Sequence, residues 1–287
     1  MVVSNNFNLW TLTSILMGYP TVLFWEGTHH TERTLQPWRM RLRRWMGKRA
    51  KAFVVNGILS RNYLLDVVGV PGDRIIEGGM CPEPPPKHVR CGPRNLSPGD
   101  QLRCLFVGQM IDRKGVTHLL HAAKLLERRL GERGQFEVLL LGDGPERSRY
   151  VRLARELGIQ SHVRFAGYVP PDQVWRHYEQ AHVFVLPTLQ DNWPLVLPEA
   201  MSMGLPVLVS NRAGSVPDLI REGENGYSFD PEDHESLASH LEEYVRNHHL
   251  IRRHGERSLE LVSPYNPQRA ANAFLWAVAK AEERTSA

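Results

Sequence analysis

The sequence predicts an α/β protein built around a doubly wound parallel sheet, and three observations carry that prediction. From Leu102 onward, short apolar runs alternate with helix-length amphipathic segments, the pattern of consecutive βαβ units. The first of these runs ends in Gly108, loops, and enters a helix at Gly115, as a strand-to-helix turn at a sheet edge does. The chain has 287 residues, of which 42% are hydrophobic and 23% charged, an ordinary globular mixture that can bury one large core or two smaller ones and excludes disordered and collagen-like classes.

The expected strands are LRCLFVG from Leu102, FEVLLLG from Phe136, VRFAG from Val163, HVFVLP from His182, PVLVS from Pro206 and a short YSF at Tyr227. The helices between them run from about Val116 to Leu130, Arg147 to Leu157, Asp172 to Gln180, Pro198 to Met203 and Val216 to Arg221. Crossovers joining parallel strands are right-handed. After Phe229 the sequence predicts helices over His234 to Asn247, Leu250 to Val262 and Pro267 to Glu283, with Tyr265-Asn266-Pro267 breaking the last two apart.

Ahead of this domain, CPEPPPKHVRCGPRNLSPGD is too rich in proline and glycine to continue a helix or a central strand, so residues 83–100 read as a linker. Upstream, TVLFW and AFVVN read as two buried strands, separated by a basic helical segment and followed by a helix from Ser60 to Val67. Two strands are too few for a complete Rossmann half. The expected organisation is a partial amino-terminal domain over 1–82, the linker over 83–100, a doubly wound carboxyl-terminal domain over 101–262, and a terminal helix within 263–287 that packs back on the amino-terminal domain.

The net charge of +4 suits an anionic ligand or a membrane surface but is too small and scattered to argue nucleic acid. Cys81, Cys91 and Cys104 show neither a CxxC pair nor metal-ligand spacing, which argues against a disulfide framework and for a reducing, cytoplasmic compartment. The first residues, MVVSNNFNLWTLTSILMGYP, have no basic start and too short an apolar run for a secretory signal or a membrane span.

Three segments carry chemistry. In Gly108-Gln109-Met110-Ile111-Asp112-Arg113-Lys114-Gly115, the strand-to-helix turn aims backbone N–H groups at the carboxyl edge of the sheet, and Lys114 adds a full charge there. Gly142-Asp143-Gly144-Pro145 reads mainly as architecture: a tight turn with proline opening the next helix. The most specific is PTLQDNWPLVLPEAMSMGLPV from Pro187, which sets Asp191 in a loop and Glu199 eight residues later in the first turn of a helix. A carboxylate accepts two hydroxyls at once, so such a pair suits neighbouring sugar rings.

In this order, GQMIDRKG, LLLGDGPE, VRFAGYV, AHVFVLPTLQDNWPLVLPEAMSMGLPVLVSNRAGSVPDLI and ENGYSF resemble the carboxyl-terminal domain of the large group 1 (family 4) retaining glycosyltransferases, which have the GT-B fold; the likeness spans roughly Leu102 to Phe229. The resemblance implies a nucleotide-sugar donor as substrate, no metal, and no separate cofactor. It implies that Asp191 contacts the transferred sugar, Glu199 the nucleotide ribose and Lys114 the donor diphosphate. Gly108, Gln109, Arg113, Asn192, Gly214 and the backbone of Trp193 and Leu195 complete the donor set. Three departures stand out. Gln109 replaces a frequent arginine, Asp191 is one methylene shorter than the usual glutamate, and Pro194 cannot donate a hydrogen bond.

Such an enzyme moves a sugar to a hydroxyl acceptor, a glycan or lipid-linked glycan, with retention of configuration. The chain has no Asp-x-Asp, and Lys114 with helix-end N–H groups is expected to carry the charge on the departing diphosphate. On the acceptor side, Phe24 to Arg33 follows a strand, and Glu26 and His29 are the expected catalytic contacts to the acceptor hydroxyl or its proton, beside Lys114 and Asp191. Between Trp38 and Lys51, Arg39, Arg41, Arg43, Arg44, Lys48, Arg49 and Lys51 accompany Trp38, Leu42, Trp45 and Met46 at helical spacing. This segment reads equally as a peripheral contact with anionic lipid at the inner membrane face and as a core-facing stripe with a solvated basic face. The rival to an active enzyme is a nucleotide-sugar-binding remnant, or a subunit whose partner chain supplies the rest of the amino-terminal domain.

Overall fold

A computed structural model describes residues 1–32, 36–97, 99–131 and 135–286. Arg33, the end of the loop expected to face an acceptor, lies outside the described residues. The chain divides into two compact units, Met1–Pro82 with Pro264–Ala287, and Glu83–Ser263.

In the first unit the strands β1 (Val2–Asn5), β2 (Thr21–Trp25), β3 (Ala52–Val55) and β4 (Ile75–Glu77) pair in parallel in that order. All four residues of β3 are buried, as a parallel strand covered on both faces requires. Helix α1 (Leu9–Leu16), α2 (Pro37–Arg49) and α3 (Ile58–Asn62), which continues as a π-helical segment over Tyr63–Val68, connect the strands. Leu23, Trp25, Phe53 and Val55 pack with Tyr63, Leu64 and Val68, while Val22, Ala52 and Val54 meet α11 (Pro267–Ser286) through Ala273, Ala277 and Ala281. Alanine at every fourth position gives α11 a smooth stripe that approaches the sheet closely.

The sequence reading found β2 and β3 but not β1 or β4. Each missed strand is three or four residues long, below the length at which period-two patterning is distinguishable. It counted Arg43 among the basic residues of this segment and Met46 among the apolar ones at helical spacing, and both are buried. Arg43 donates to Glu32 at 2.9 Å and to the Tyr63 hydroxyl at 2.7 Å, and its guanidinium lies 4.7 Å from the Trp25 ring centroid. A partnered, aromatic-stacked guanidinium is an interior group rather than part of a lipid-facing patch.

In the second unit β5 (Leu102–Val107), β6 (Phe136–Leu141), β7 (Val163–Gly167), β8 (Val183–Leu186), β9 (Val207–Ser210) and β10 (Gly226–Phe229) form a parallel sheet of order β10-β9-β8-β5-β6-β7. Helices α4 (Val116–Leu130), α5 (Arg147–Glu156), α6 (Pro171–Gln180), α7 (Val196–Ser202), α8 (Val216–Leu219), α9 (His234–Arg246) and α10 (His249–Val262) connect and follow the strands. The chain winds outward from β5 to β7, returns to β8 beside β5, and winds outward the other way. That reversal between β5 and β8 is the topological switch point, where ligands bind doubly wound sheets.

The stretch expected as a linker, from Glu83, belongs to this second unit. Leu96 joins its core, and Arg94 donates to the Glu179 carbonyl at 2.8 Å. Its prolines forbid regular structure but not packing.

Candidate functional site

The loops that leave β5 and β8 open side by side at the switch point, and a small set of bonds seams them together. The Arg113 carbonyl accepts from the Thr188 hydroxyl at 3.0 Å and from the Leu189 N–H at 2.8 Å. Gly115 closes the first loop in the left-handed region at φ +70°, and a Cβ there would stand 1.9 Å from the Pro187 carbonyl oxygen. No other residue fits both the conformation and the space. This contact brings the short 3₁₀ turn Asp112–Lys114 against the loop that carries Asp191.

Lys114 Nζ donates to Asp191 Oδ2 at 2.5 Å, with both side chains largely shielded from solvent. Arg113 donates to the Gln190 carbonyl at 2.6 Å and reaches the same Asp191 oxygen at 3.4 Å. Two of the expected donor-binding side chains, Lys114 and Arg113, therefore converge on the carboxylate of a third, Asp191. The Gly214 loop completes the wall: its N–H donates to the Asp191 carbonyl at 2.8 Å, and a Cβ on Gly214 would fall 2.2 Å from the Asn192 carbonyl oxygen. Beside this seam, Asn192 Oδ1 and Ser215 Oγ are buried without a hydrogen-bond partner.

Glu199 stands in the first turn of α7, where the positive helix end favours a carboxylate. Its Oε2 accepts from the Tyr178 hydroxyl at 3.1 Å. Burial pushes the Glu199 carboxyl up to about 7, with the Tyr178 bond opposing that shift and the charge of Glu83 adding to it. The group consequently changes charge near neutrality. Tyr178 was not legible as a site residue, since with Trp175 it forms an ordinary i, i+3 buried stripe on α6.

Gly108 and Gln109 lie on the other side of the switch point. They line a groove of about 300 Å³ with Gly142, Asp143, Tyr168 and Val174. Trp193 is buried, and Leu195 precedes α7, its carbonyl accepting from the Glu199 N–H at 3.1 Å.

Glu26 and His29 belong to the other unit, after the carboxyl end of β2. The Glu26 carbonyl accepts from the Ser60 hydroxyl at 3.0 Å, and the exposed His29 ring meets Tyr63 edge-on at 5.5 Å between centroids. Among the described residues no three His, Cys, Asp or Glu side chains gather closely enough to hold a metal ion.

Comparison with known proteins agrees with this architecture. The chain is 32% identical over 180 residues to the lipopolysaccharide core biosynthesis glycosyltransferase LpsE of Rhizobium meliloti (strain 1021), a match covering 62% of this chain and 50% of that protein. It spans about half the length of several curated relatives it matches. Among solved structures, sucrose-phosphate synthase from Thermosynechococcus elongatus aligns with a TM-score of 0.77 at 22% identity, covering 99% of this chain and 74% of the other. HepE from Anabaena in complex with UDP-glucose aligns with a TM-score of 0.69 at 16% identity, covering 97% and 75%. These likenesses establish the GT-B glycosyltransferase fold expected from the sequence. The family described as "Glycosyl transferases group 1" matches residues 93–261, more than half of the sequence, and the chain belongs to that family.

Proposed function

We propose that the protein transfers a sugar from a nucleotide-sugar donor to a hydroxyl of a glycan or lipid-linked glycan, with retention of configuration and without a metal. The observation that carries this reading is the convergence of Lys114 and Arg113 on Asp191 at the switch point. HepE, a fold neighbour, binds UDP and UDP-glucose, which supports a nucleotide sugar as donor.

In this reading the ammonium of Lys114, with Arg113 beside it, turns from Asp191 to the donor diphosphate. It meets charge that grows as the sugar leaves, the form of stabilisation that accelerates the step. Asp191, so released, accepts hydroxyls of the transferred sugar, and Glu199 in its ionised form accepts those of the ribose. Asn192 and the Gly214 loop close on donor oxygens. The acceptor oxygen bonds to the anomeric carbon on the face the diphosphate leaves. The old carbon–oxygen bond breaks with its electron pair going to the diphosphate, whose phosphate oxygen takes the acceptor's proton. Glu26 and His29 are the candidate acceptor-binding residues of the amino-terminal unit.

Titration of the purified protein with a panel of nucleoside diphosphates, followed by incubation with the matching nucleotide sugars in the presence of a chelator, tests this. Lys114→Ala and Glu199→Ala each weaken diphosphate binding by about tenfold or more, the loss of a charge-assisted contact. Unchanged binding in both variants would place the donor elsewhere. Binding without transfer would instead make the chain a nucleotide-sugar-binding subunit that acts with a partner.

A further inference from the structure

Tyr178 is fully buried, yet its one polar side-chain atom bonds outside its own helix. Its ring stands between Trp175, 5.7 Å away between centroids, and Phe184 of β8, 6.1 Å away, with both neighbours tilted 50° to it. Close packing on two sides holds the ring in one orientation. From there the hydroxyl reaches the first turn of α7, where it donates to Glu199 Oε2 at 3.1 Å and lies 3.4 Å from the Val196 carbonyl oxygen. A phenol has a single proton to give, and the nearer, charged oxygen is the stronger acceptor.

The carboxyl at the other end of this bond has little else to favour its charge. Burial raises Glu199 and the charge of Glu83 adds to the rise; the phenol alone among the groups that shift it pulls the other way. Burial, and after it the Glu199 charge, hold the Tyr178 hydroxyl well above the ordinary phenol range, so it keeps its proton and serves this carboxylate only as a donor. The bond therefore has two effects. It fixes the plane of the carboxylate by one oxygen and leaves Oε1 free of the phenol, and it favours the ionised form, which is acceptor-only and can take two hydroxyls.

We propose that Tyr178 is a positioning residue for ribose recognition: its hydroxyl fixes one oxygen of the Glu199 carboxylate so that the group is presented to the ribose hydroxyls of the donor. Tyr178 does not touch the nucleotide and acts through Glu199. This rests on the reading of Glu199 as the ribose contact. It adds that a side chain on a different helix, ahead of β8, sets how well that contact is made.

Calorimetric titration of the full chain with UDP, GDP, ADP and CDP identifies the tightest of these, which is then compared with its 2′,3′-dideoxy counterpart on the natural chain, Tyr178→Phe and Glu199→Gln. Phenylalanine keeps the ring between Trp175 and Phe184 and removes one oxygen, and unchanged circular dichroism checks the fold. Near neutral pH, Tyr178→Phe weakens the ribonucleotide by about tenfold and the dideoxynucleotide by less than about twofold, the loss of one bond to a charged group. Raising the pH to about 9 restores most of the loss in Tyr178→Phe, because Glu199 then ionises without the phenol, and restores none in Glu199→Gln, which has no proton to lose. Equal losses for both nucleotides, or a loss of one size at every pH, would make Tyr178 a packing residue and overturn the proposal. So would an unchanged Tyr178→Phe beside a weakened Glu199→Gln, which would leave the ribose contact standing. A ribose preference untouched in Glu199→Gln, or no binding of any of these nucleotides to the natural chain, would remove the ribose contact and the proposal together.

Discussion

Helices α4 and α1 each follow the first strand of their unit along the chain and use their apolar residues in opposite ways. Helix α4 buries Val116, Leu119, Leu120, Ala123 and Leu126 and carries its arginines outward. Helix α1 buries two hydroxyls and leaves its largest side chains uncovered. The difference shows that an apolar stripe reports a surface to be covered, not which body covers it. For α4 that body is its own domain; the stripe of α1 is left uncovered among the described residues.

The comparison breaks most sharply on truncation of one leucine in each helix. Leu120→Ala is expected to cost about 2–5 kcal/mol of unfolding free energy, the loss of a fully buried side chain and the cavity it leaves. Urea denaturation measures it, and a loss below about 1 kcal/mol would mean that α4 is not anchored as described. A contrast of charge rather than of apolar packing comes next. Arg43 is buried with a carboxylate partner, whereas the contacts that shift Glu199 are burial, a phenol and another carboxylate. The carboxyl of Glu199 is raised, so it favours the folded chain at low pH and disfavours it progressively as pH climbs from about 4.5 to about 7. Glu199→Gln is therefore expected to be more stable than the natural chain by about 1–2 kcal/mol at pH 8 and indistinguishable below pH ~4.5, after discounting for partial exposure. Thermal melts across that range decide it, and a gap that widens towards acid would reverse the sign. The smallest effect belongs to α1: Leu16→Ala should change stability by no more than about 0.5 kcal/mol, because the side chain is already in water.

Legibility in the sequence followed the same divide. In the second unit every strand expected from Leu102 onward is present, since each is an apolar run of parallel-sheet type bounded by helix-length segments. In the first, α1 gave no clear period because LWTLTSIL is apolar nearly all round, and only the fold reveals that Thr11 and Ser14 form its inner side. At the candidate site the sequence supplied Lys114, Asp191 and Glu199 through their order along the chain. It did not supply the bonds that join residues far apart in sequence, such as Thr188 to Arg113 or Tyr178 to Glu199. A tyrosine in a buried helical stripe looks the same whether or not a carboxylate waits opposite it.

The bond between Lys114 and Asp191 has a consequence for how anions come and go. In the proposed donor site the cation already has a resident counter-ion, so a diphosphate would exchange with a tethered competitor rather than fall into a positive hole. That exchange lowers the net gain on capture, so on the proposed reading the pocket holds its anion less tightly than an unpaired lysine would.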